Sequence, residues 1–254
     1  MTKISIITLT LNSAETINDT INSIDQQSYK KIEHICVDSY SKDNTFAILK
    51  ESRNFRRKIF RSRKKGIYKN LNYAMKLATG NIIIVLHSDD IFYNKNVIKK
   101  IVKEFESKQL DILYTDIEIV KKNDISFIIR NWISNSKIYH NKILSGENYK
   151  DLMKNGWMPP HTGFFFKKKF KFMSYNTTYS IASDYDFMIK LINKSKKILY
   201  LPIKSTRMRI GGESSKLFKL FKKSKEDLEI IKKNKLGSYL TLFKKILRKS
   251  NQFF

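Results

Sequence analysis

The sequence predicts an α/β fold, a largely parallel sheet flanked by helices and finished by a basic helical C-terminal segment. Three observations carry this. The apolar runs ISIITLT, IEHICV and IIIVL each end in polar or acidic residues. Stretches with apolar residues at helical spacing alternate with those runs, the rhythm of a sheet covered by helices on both faces. From Lys216 onward, 12 Lys or Arg stand against 3 acids, 12 − 3 = +9 in 39 residues, interleaved with Leu, Phe and Ile.

Each element follows from its own pattern. Residues 4–10 read as a buried strand, and 14–27 as a helix with Ile17, Ile21 and Ile24 on one face. A strand over 32–37 ends at Asp38, a helix covers 45–52, and a short strand lies at 58–60. Residues 67–78 form an amphipathic helix stopped by Gly80. The strand 82–86 runs into His87-Ser88-Asp89-Asp90, and 96–105 is the next helix. After Gln109 the rhythm changes: strands are expected at 111–120 and 125–132, a helix at 148–154, a turn at 156–160, a strand at 163–167 and a helix at 184–193. Three units follow: residues 1–110, 111–215 and the basic segment 216–254.

Composition narrows the class. The 254 residues, 41% hydrophobic and 13% aromatic, suffice for a large core, which excludes a disordered chain. The single cysteine, Cys36, excludes an intrachain disulfide framework and fits a reducing cytosol. No apolar run reaches the ~18–20 residues needed to span a bilayer, and the N-terminus lacks a signal-peptide pattern. Any membrane contact is therefore expected to be peripheral. The formal charge of +27 favours anionic partners, whether nucleic acid, phosphorylated metabolites or acidic lipid. Eight Lys or Arg among residues 53–65 read as a solvated basic face.

In such sheets ligands bind at the carboxyl ends of the strands. Here those ends carry Thr8 to Asn12, Asp38 and His87 to Asp90. The first strand–helix turn, Leu11-Asn12-Ser13-Ala14, has no glycine, which excludes a G-x-G-x-x-G dinucleotide site and a P-loop. Two adjacent carboxylates, Asp89 and Asp90, repel unless a cation or donor groups satisfy them; Mg²⁺ or Mn²⁺ is the usual hard partner, and a solvated helix cap is the plain alternative. Asp38 admits an Asx-turn role, Asp184 a dipole role at a helix start, and His161 a turn role after Pro159-Pro160. His34 and His140 read as structural or surface residues.

The ordered series ISIITLTLNSAETINDTINSI, IEHICVDSYSKDNT, KKGIYKNLNYAMKLATGNIIIVLHSDD, ILYTD, MPPHTGFFFKKKF, SIASDYDFMIKL and RIGGESS resembles the family 2 glycosyltransferases of the GT-A fold over residues 3–215. That resemblance implies an inverting transferase that moves a sugar from a nucleoside diphosphate sugar to an acceptor hydroxyl, with a divalent metal, Mg or Mn. By position, Thr8, Thr10 and Asn12 would border the nucleotide base and Asp38 would bond it. Asp89 would meet ribose or metal, and Asp90 would ligate the metal. Asp184 matches the catalytic base, with Asp186 as the alternative, and His161 faces the acceptor. Gly211 and Gly212 would form a loop near the diphosphate, with Arg207 or Arg209 on phosphate.

The chain departs from the family pattern at Lys64 and Lys69, where acids are usual, at His87, where Asn or Asp is common, and at Ser183, where Glu is frequent. The resemblance further implies bacterial surface polysaccharide or lipopolysaccharide assembly with a glycan or lipid-linked acceptor, on the cytoplasmic side of the membrane. Two other classes compete. A nucleic-acid-binding protein would suit the charge, yet no helix-turn-helix, zinc-ligand or RNP1-like pattern is present, so no nucleic acid is expected. A metal-dependent nucleotidyltransferase would need a glycine-rich basic loop that is missing here. In the basic segment, Leu217, Leu220 and Phe221 share a helix face and residues 239–243 form a second apolar patch, either docking on an anionic membrane or packing on the catalytic unit.

Overall fold

The computed structural model describes residues 2–52, 54–134, 148–211 and 217–250. The first half alternates as the sequence predicts: β1 (Ile4–Thr10), α1 (Ile17–Asp25), β2 (Ile32–Asp38), α2 (Thr45–Glu51), β3 (Arg57–Arg61), α3 (Ile67–Leu77) and β4 (Ile82–Val85). β5 (Ile91–Phe92), α4 (Val97–Lys108), β6 (Ile112–Lys121) and β7 (Asp124–Trp132) follow. Then come α5 (Tyr149–Lys154), β8 (Phe164–Lys167), α6 (Ser183–Lys194), β9 (Ile198–Arg209), α7 (Leu217–Lys233) and α8 (Tyr239–Ser250).

One sheet runs β3-β2-β1-β4-β8-β6-β9-β5, with β7 paired to β6. β1 is parallel to both β2 and β4, Ile4 lying opposite Ile32 on one side and Ile82 on the other. Every residue of β1 and β2 is buried, which is why they read as unbroken apolar runs instead of alternating ones. Chain order reverses between β1 and β4, so the crevice of this sheet opens where those two strands end, at Thr10 and at Leu86 to Asp90. One core face packs Ile7, Leu9, Val37 and Val85 against α3 and α6; the other packs Ile6, Ile84 and Leu113 against α4.

The sequence pattern misses β5 and β9. Strand β9 carries Pro202, and its pairing with β6 jumps from Thr115–Leu201 to Asp116–Lys204. The proline thus sits where the ladder is interrupted, the position a sheet tolerates. β5 pairs with the end of β9, Ile91 opposite Arg207, which ties the acidic turn after β4 to the second half of the chain.

The C-terminal helices are part of the same body. Ile230, Ile231 and Leu236 join the core that packs α6. Gly156 has φ +77, and a Cβ there would strike the main chain of Lys245, so glycine is what admits α8 at this distance. Cys36 is fully buried, and burial pushes its thiol up to about 12, so it is inert. His140 and Gly212 lie outside the described residues, as do the side chains of Leu217 and Lys249.

Candidate active site

The first expected contacts concern β1 and β2. Thr8 does not reach the crevice. It is fully buried, and its hydroxyl lies 3.1 Å from His34 Nε2, whose Nδ1 accepts from Arg57 Nε at 3.0 Å. Burial and that guanidinium hold His34 well below its ordinary pKa, so this network is a neutral-histidine core feature. Thr10, one strand pleat on, donates to Asp38 Oδ1 at 3.1 Å.

Asp38 is likewise enclosed. Ser41 donates to it through Oγ at 2.5 Å, and Arg61 Nε lies 3.4 Å from Oδ2. Its visible work is the Asx-type turn that the sequence left open as an alternative. Asn12 has φ 51 and accepts from Lys42 N, which pins the first turn to the loop after β2. Beside Asp38, the Arg61 guanidinium is stacked on Tyr40 and Phe46, at 4.1 and 4.2 Å from the ring centres. This aromatic and cationic shelf lies within the basic run read as a solvated face. No local pattern signals it, because the contact needs β3 beside β2.

The acidic turn splits its two carboxylates. Asp89 is half-buried at the rim, whereas Asp90 is 1% exposed and neither of its carboxylate oxygens has a hydrogen-bond partner. Burial, with Asp89 next to it, pushes the Asp90 carboxyl well above its ordinary value. An orphaned buried carboxylate beneath an accessible one is a hard-oxygen donor set that fits Mg²⁺ or Mn²⁺. Among the described residues no three His, Cys, Asp or Glu gather around one point. Such a pair would supply one or two ligands and leave the remainder to substrate oxygens, the usual arrangement for Mg²⁺ with phosphates.

The two arginines do not meet the expectation of phosphate contact. Arg207 pairs with Glu118 at 3.0 Å and lies over Tyr93. Arg209 is buried, donating to the main-chain oxygen of Asp89 at 2.7 Å and of Lys122 at 3.0 Å, and pairing with Asp19. The β5–β9 pairing brings Arg209 behind the acidic turn, so its role is to hold the Asp89 backbone. Gly211, with φ +99 and open space about it, follows β9 directly.

Asp184 stands in the first turn of α6, half-buried, with its Oδ1 accepting from the Tyr185 N–H at 2.9 Å and from Tyr68 Oη at 3.5 Å. Asp186 is fully buried and paired with Lys190 at 2.5 Å, so α6 turns it inward, away from any acceptor. His161 Nε2 lies 2.9 Å from Tyr175 Oη, and Tyr175 is stacked on Tyr68. On its other side the His161 ring is 5.9 Å from His87, the residue that opens the acidic turn. Asp184, Tyr68, Tyr175, His161, His87 and Asp89 therefore form one continuous wall across the end of β4.

The charge state of this wall follows from its surroundings. Burial alone would raise Asp184, but the Lys223 and Lys245 ammonium groups, with His161, outweigh it and hold the carboxyl below its ordinary value. Burial pushes His161 down to about 4, against the pull of Asp184, so its ring is neutral at pH 7. Both lysines come from the C-terminal helices, a contribution invisible to local sequence pattern. So does Glu226, whose carboxylate accepts from the N–H groups of Ser180, Ile181 and Ala182, each at 2.9 Å. It thereby fixes the approach to α6. Glu226→Ala is expected to cost about 1–3 kcal/mol of stability, because three main-chain donors, that of Ala182 buried, lose a charged acceptor. Transfer should fall more than donor affinity does, which a thermal melt and a comparison of kcat with KM would check.

The sequence profile described as Glycosyl transferase family 2 matches residues 5–196. The chain belongs to the family 2 glycosyltransferases. It is 30% identical over 142 residues to the Escherichia coli UDP-Glc:alpha-D-GlcNAc-diphosphoundecaprenol beta-1,3-glucosyltransferase WfgD, covering 56% of this chain and 54% of that one. It is also 30% identical over 118 residues to the Staphylococcus aureus poly(ribitol-phosphate) beta-N-acetylglucosaminyltransferase TarS, covering 44% of this chain and 20% of that one.

Among solved structures, TarS 1–349 in complex with UDP-GlcNAc superposes with a TM-score of 0.70 at 20% identity, over 98% of this chain and 73% of that one. The Pyrobaculum calidifontis mannosyltransferase PcManGT, in complex with GDP-Man and Mn²⁺, gives 0.64 at 15% identity, over 98% and 74%. These likenesses establish the GT-A fold. The aligned stretch spans about half of WfgD and a fifth of TarS.

Proposed function

We propose that this glycosyltransferase moves a sugar from a nucleoside diphosphate sugar to the hydroxyl of a glycan or lipid-linked acceptor, inverting the anomeric centre, in bacterial surface polysaccharide or lipopolysaccharide assembly. The observation that carries the reading is the half-buried Asp184 carboxylate, kept ionised by Lys223 and Lys245 and joined through His161 and His87 to the acidic turn. One ionised carboxylate suffices for a one-step displacement. It takes the acceptor proton as that oxygen attacks the anomeric carbon opposite the departing diphosphate.

The remaining residues bind and orient. The shelf of Tyr40, Arg61 and Phe46 beside Asp38 suits a nucleotide base, and Asn12 and Thr10 close the pocket's floor. Asp89 would hold a divalent ion from the rim with Asp90 behind it, and such an ion, when bound, neutralises charge on the diphosphate. Neutral His161 with Tyr175 faces the acceptor and can orient its hydroxyl without competing for the proton.

The names of the relatives support this reading. WfgD acts from UDP-Glc on a diphosphoundecaprenol-linked sugar, and the TarS and PcManGT structures hold UDP-GlcNAc and GDP-Man. Such an acceptor would place the enzyme on the cytoplasmic membrane face. Among the described residues no helix is long and apolar enough to cross a membrane. The test is incubation with a panel of nucleoside diphosphate sugars and lipid-linked acceptors in Mn²⁺ or Mg²⁺. Release of nucleoside diphosphate and an inverted linkage by NMR are expected. Release of pyrophosphate, or retention of configuration, would overturn the reading.

A further inference from the structure

Helix α8 is packed inside out. Its inner side carries Thr241, whose hydroxyl donates to the main chain of Lys154 and Leu236, and Lys245, which is only 6% exposed. The Lys245 ammonium lies 2.7 Å from Asp227 and over the Tyr185 ring. Of its apolar residues, only Leu242 packs on the core. The outer side is apolar: Tyr239, Leu240, Phe243, Ile246 and Leu247 are all exposed, Leu240 to 63% and Phe243 to 57%. Their spacing of i, i+1, i+4, i+7 and i+8 makes one unbroken stripe along the helix. A helix whose only task was to cover the catalytic unit would face the other way.

The surroundings of the stripe are cationic. Over residues 217–250 there are 11 Lys or Arg and 3 acids, 11 − 3 = +8. The acids are spent inward: Glu226 on the α6 approach, Asp227 on Lys245 and Glu229 on Tyr179. Lys232 lies over Tyr239 and Lys245 pairs with Asp227, so α7 and α8 run antiparallel as a hairpin. At its tip, Lys232, Lys233 and Lys235 are exposed beside the apolar stripe, and along α7 so are Lys222, Lys225 and Phe221, the last to 82%.

We infer that the outer face of α8 docks the enzyme on an anionic lipid bilayer, with the stripe in the headgroup–acyl boundary and the hairpin lysines on lipid phosphates. Charge decides against a second copy of the chain, because pairing these faces would bring two +8 hairpins together within a dimer of two +27 chains. Three of the five stripe residues, Leu240, Ile246 and Leu247, are aliphatic and give nucleic acid neither hydrogen bonds nor a stacking plane, so the stripe suits lipid better. The opposite side of the same helix presents Lys245 toward Asp184. Docking by the outer face of α8 therefore leaves the inner face of the same helix, with Lys245 seated on Asp227 and the Tyr185 ring, turned to the side of α6 that carries Asp184. The inference rests on the lipid-linked acceptor reading only for its purpose, which is to bring that acceptor's sugar to Asp184.

The test uses the full chain and vesicles of phosphatidylglycerol with phosphatidylcholine, or of phosphatidylcholine alone, in co-sedimentation at low and high salt. Wild type is expected to sediment with the anionic vesicles and to be released partly, not wholly, by salt. The double variant Leu240→Ser with Phe243→Ser should bind them at least about tenfold less, since both side chains are already exposed and only the insertion is lost. Its melting temperature and affinity for uridine diphosphate should match wild type. Should that variant fail to fold, Lys232→Glu with Lys233→Glu and Lys235→Glu reads the same contact from its charged side, and weaker anionic binding is again expected.

Wild type that ignores anionic vesicles at low salt, or variants that bind as well as wild type, would overturn the docking. So would a dimer, seen by sedimentation velocity, that Leu240→Ser and Phe243→Ser dissolve while vesicle binding is absent. Vesicle binding in a protein that transfers no sugar would leave docking standing and remove the function reading. Transfer to a soluble acceptor with no vesicle binding would do the reverse.

Discussion

Asp184→Asn is expected to lower the rate of sugar transfer by about 10²-fold or more while donor affinity stays close to wild type. The substitution preserves shape and keeps an oxygen for the Tyr185 N–H, so α6 should form as before. What it removes is the half-buried carboxylate that Lys223 and Lys245 keep ionised beside His161 and Tyr175. Asp186→Asn serves as the control: its carboxylate is buried against Lys190, so it should cost stability and spare the chemistry. Loss of transfer in Asp186→Asn with none in Asp184→Asn would reverse the assignment.

The pH profile gives a second view of the same group. Asp184 is held below its ordinary value, so as a base it is lost only when pH falls through that depressed pKa. His161 gains its proton only near pH 4. Transfer should therefore show no acid limb between about pH 5 and about pH 7, where an unperturbed histidine would titrate. An acid limb near pH 6.5 would point to a histidine in place of Asp184 as the proton acceptor.

The wall that these experiments probe was only partly legible in the chain. The parallel half was, because β1, β2 and β4 are buried on both faces and must be continuous apolar runs. Asp184 and the acidic turn were singled out through the order of short motifs, each a strand end or helix start where polar residues have to collect. The position expected for Thr8 fails for a simple reason: it pairs with Cys36, two positions before the ladder ends at Thr10 and Asp38, and it is enclosed with His34. The resemblance set Arg207 or Arg209 near phosphate, and the strand that holds both was not legible in the pattern. Once β9 pairs with β5 and β6, their guanidiniums fall beside Glu118 and the Asp89 carbonyl. Glu226, Lys223 and Lys245 carried no local signal. Their distance in sequence from Asp184 is bridged by helix packing, which periodicity cannot report.

The metal experiment separates two carboxylates that the sequence treats as a pair. Asp89→Asn is expected to abolish the stabilisation that Mn²⁺ adds to donor binding and to lower transfer by about 10²-fold or more, since it removes charge from the accessible ligand. Asp90→Asn should behave differently. Its carboxylate is buried with both oxygens unpartnered, so replacing a charged group by a neutral one of the same shape relieves a desolvation cost instead of removing a contact. The variant should melt at or above the wild-type temperature without metal and should retain most of the Mn²⁺ response. Arg209 bears on the result, because it anchors the Asp89 main chain and keeps the turn in place when one carboxylate is changed. Thermal melts with and without donor and Mn²⁺ read all of these outcomes. If Asp90→Asn loses the Mn²⁺ response and Asp89→Asn keeps it, the deeper carboxylate is the ligand. The acidic turn must then open by at least the width of a side chain before the donor binds.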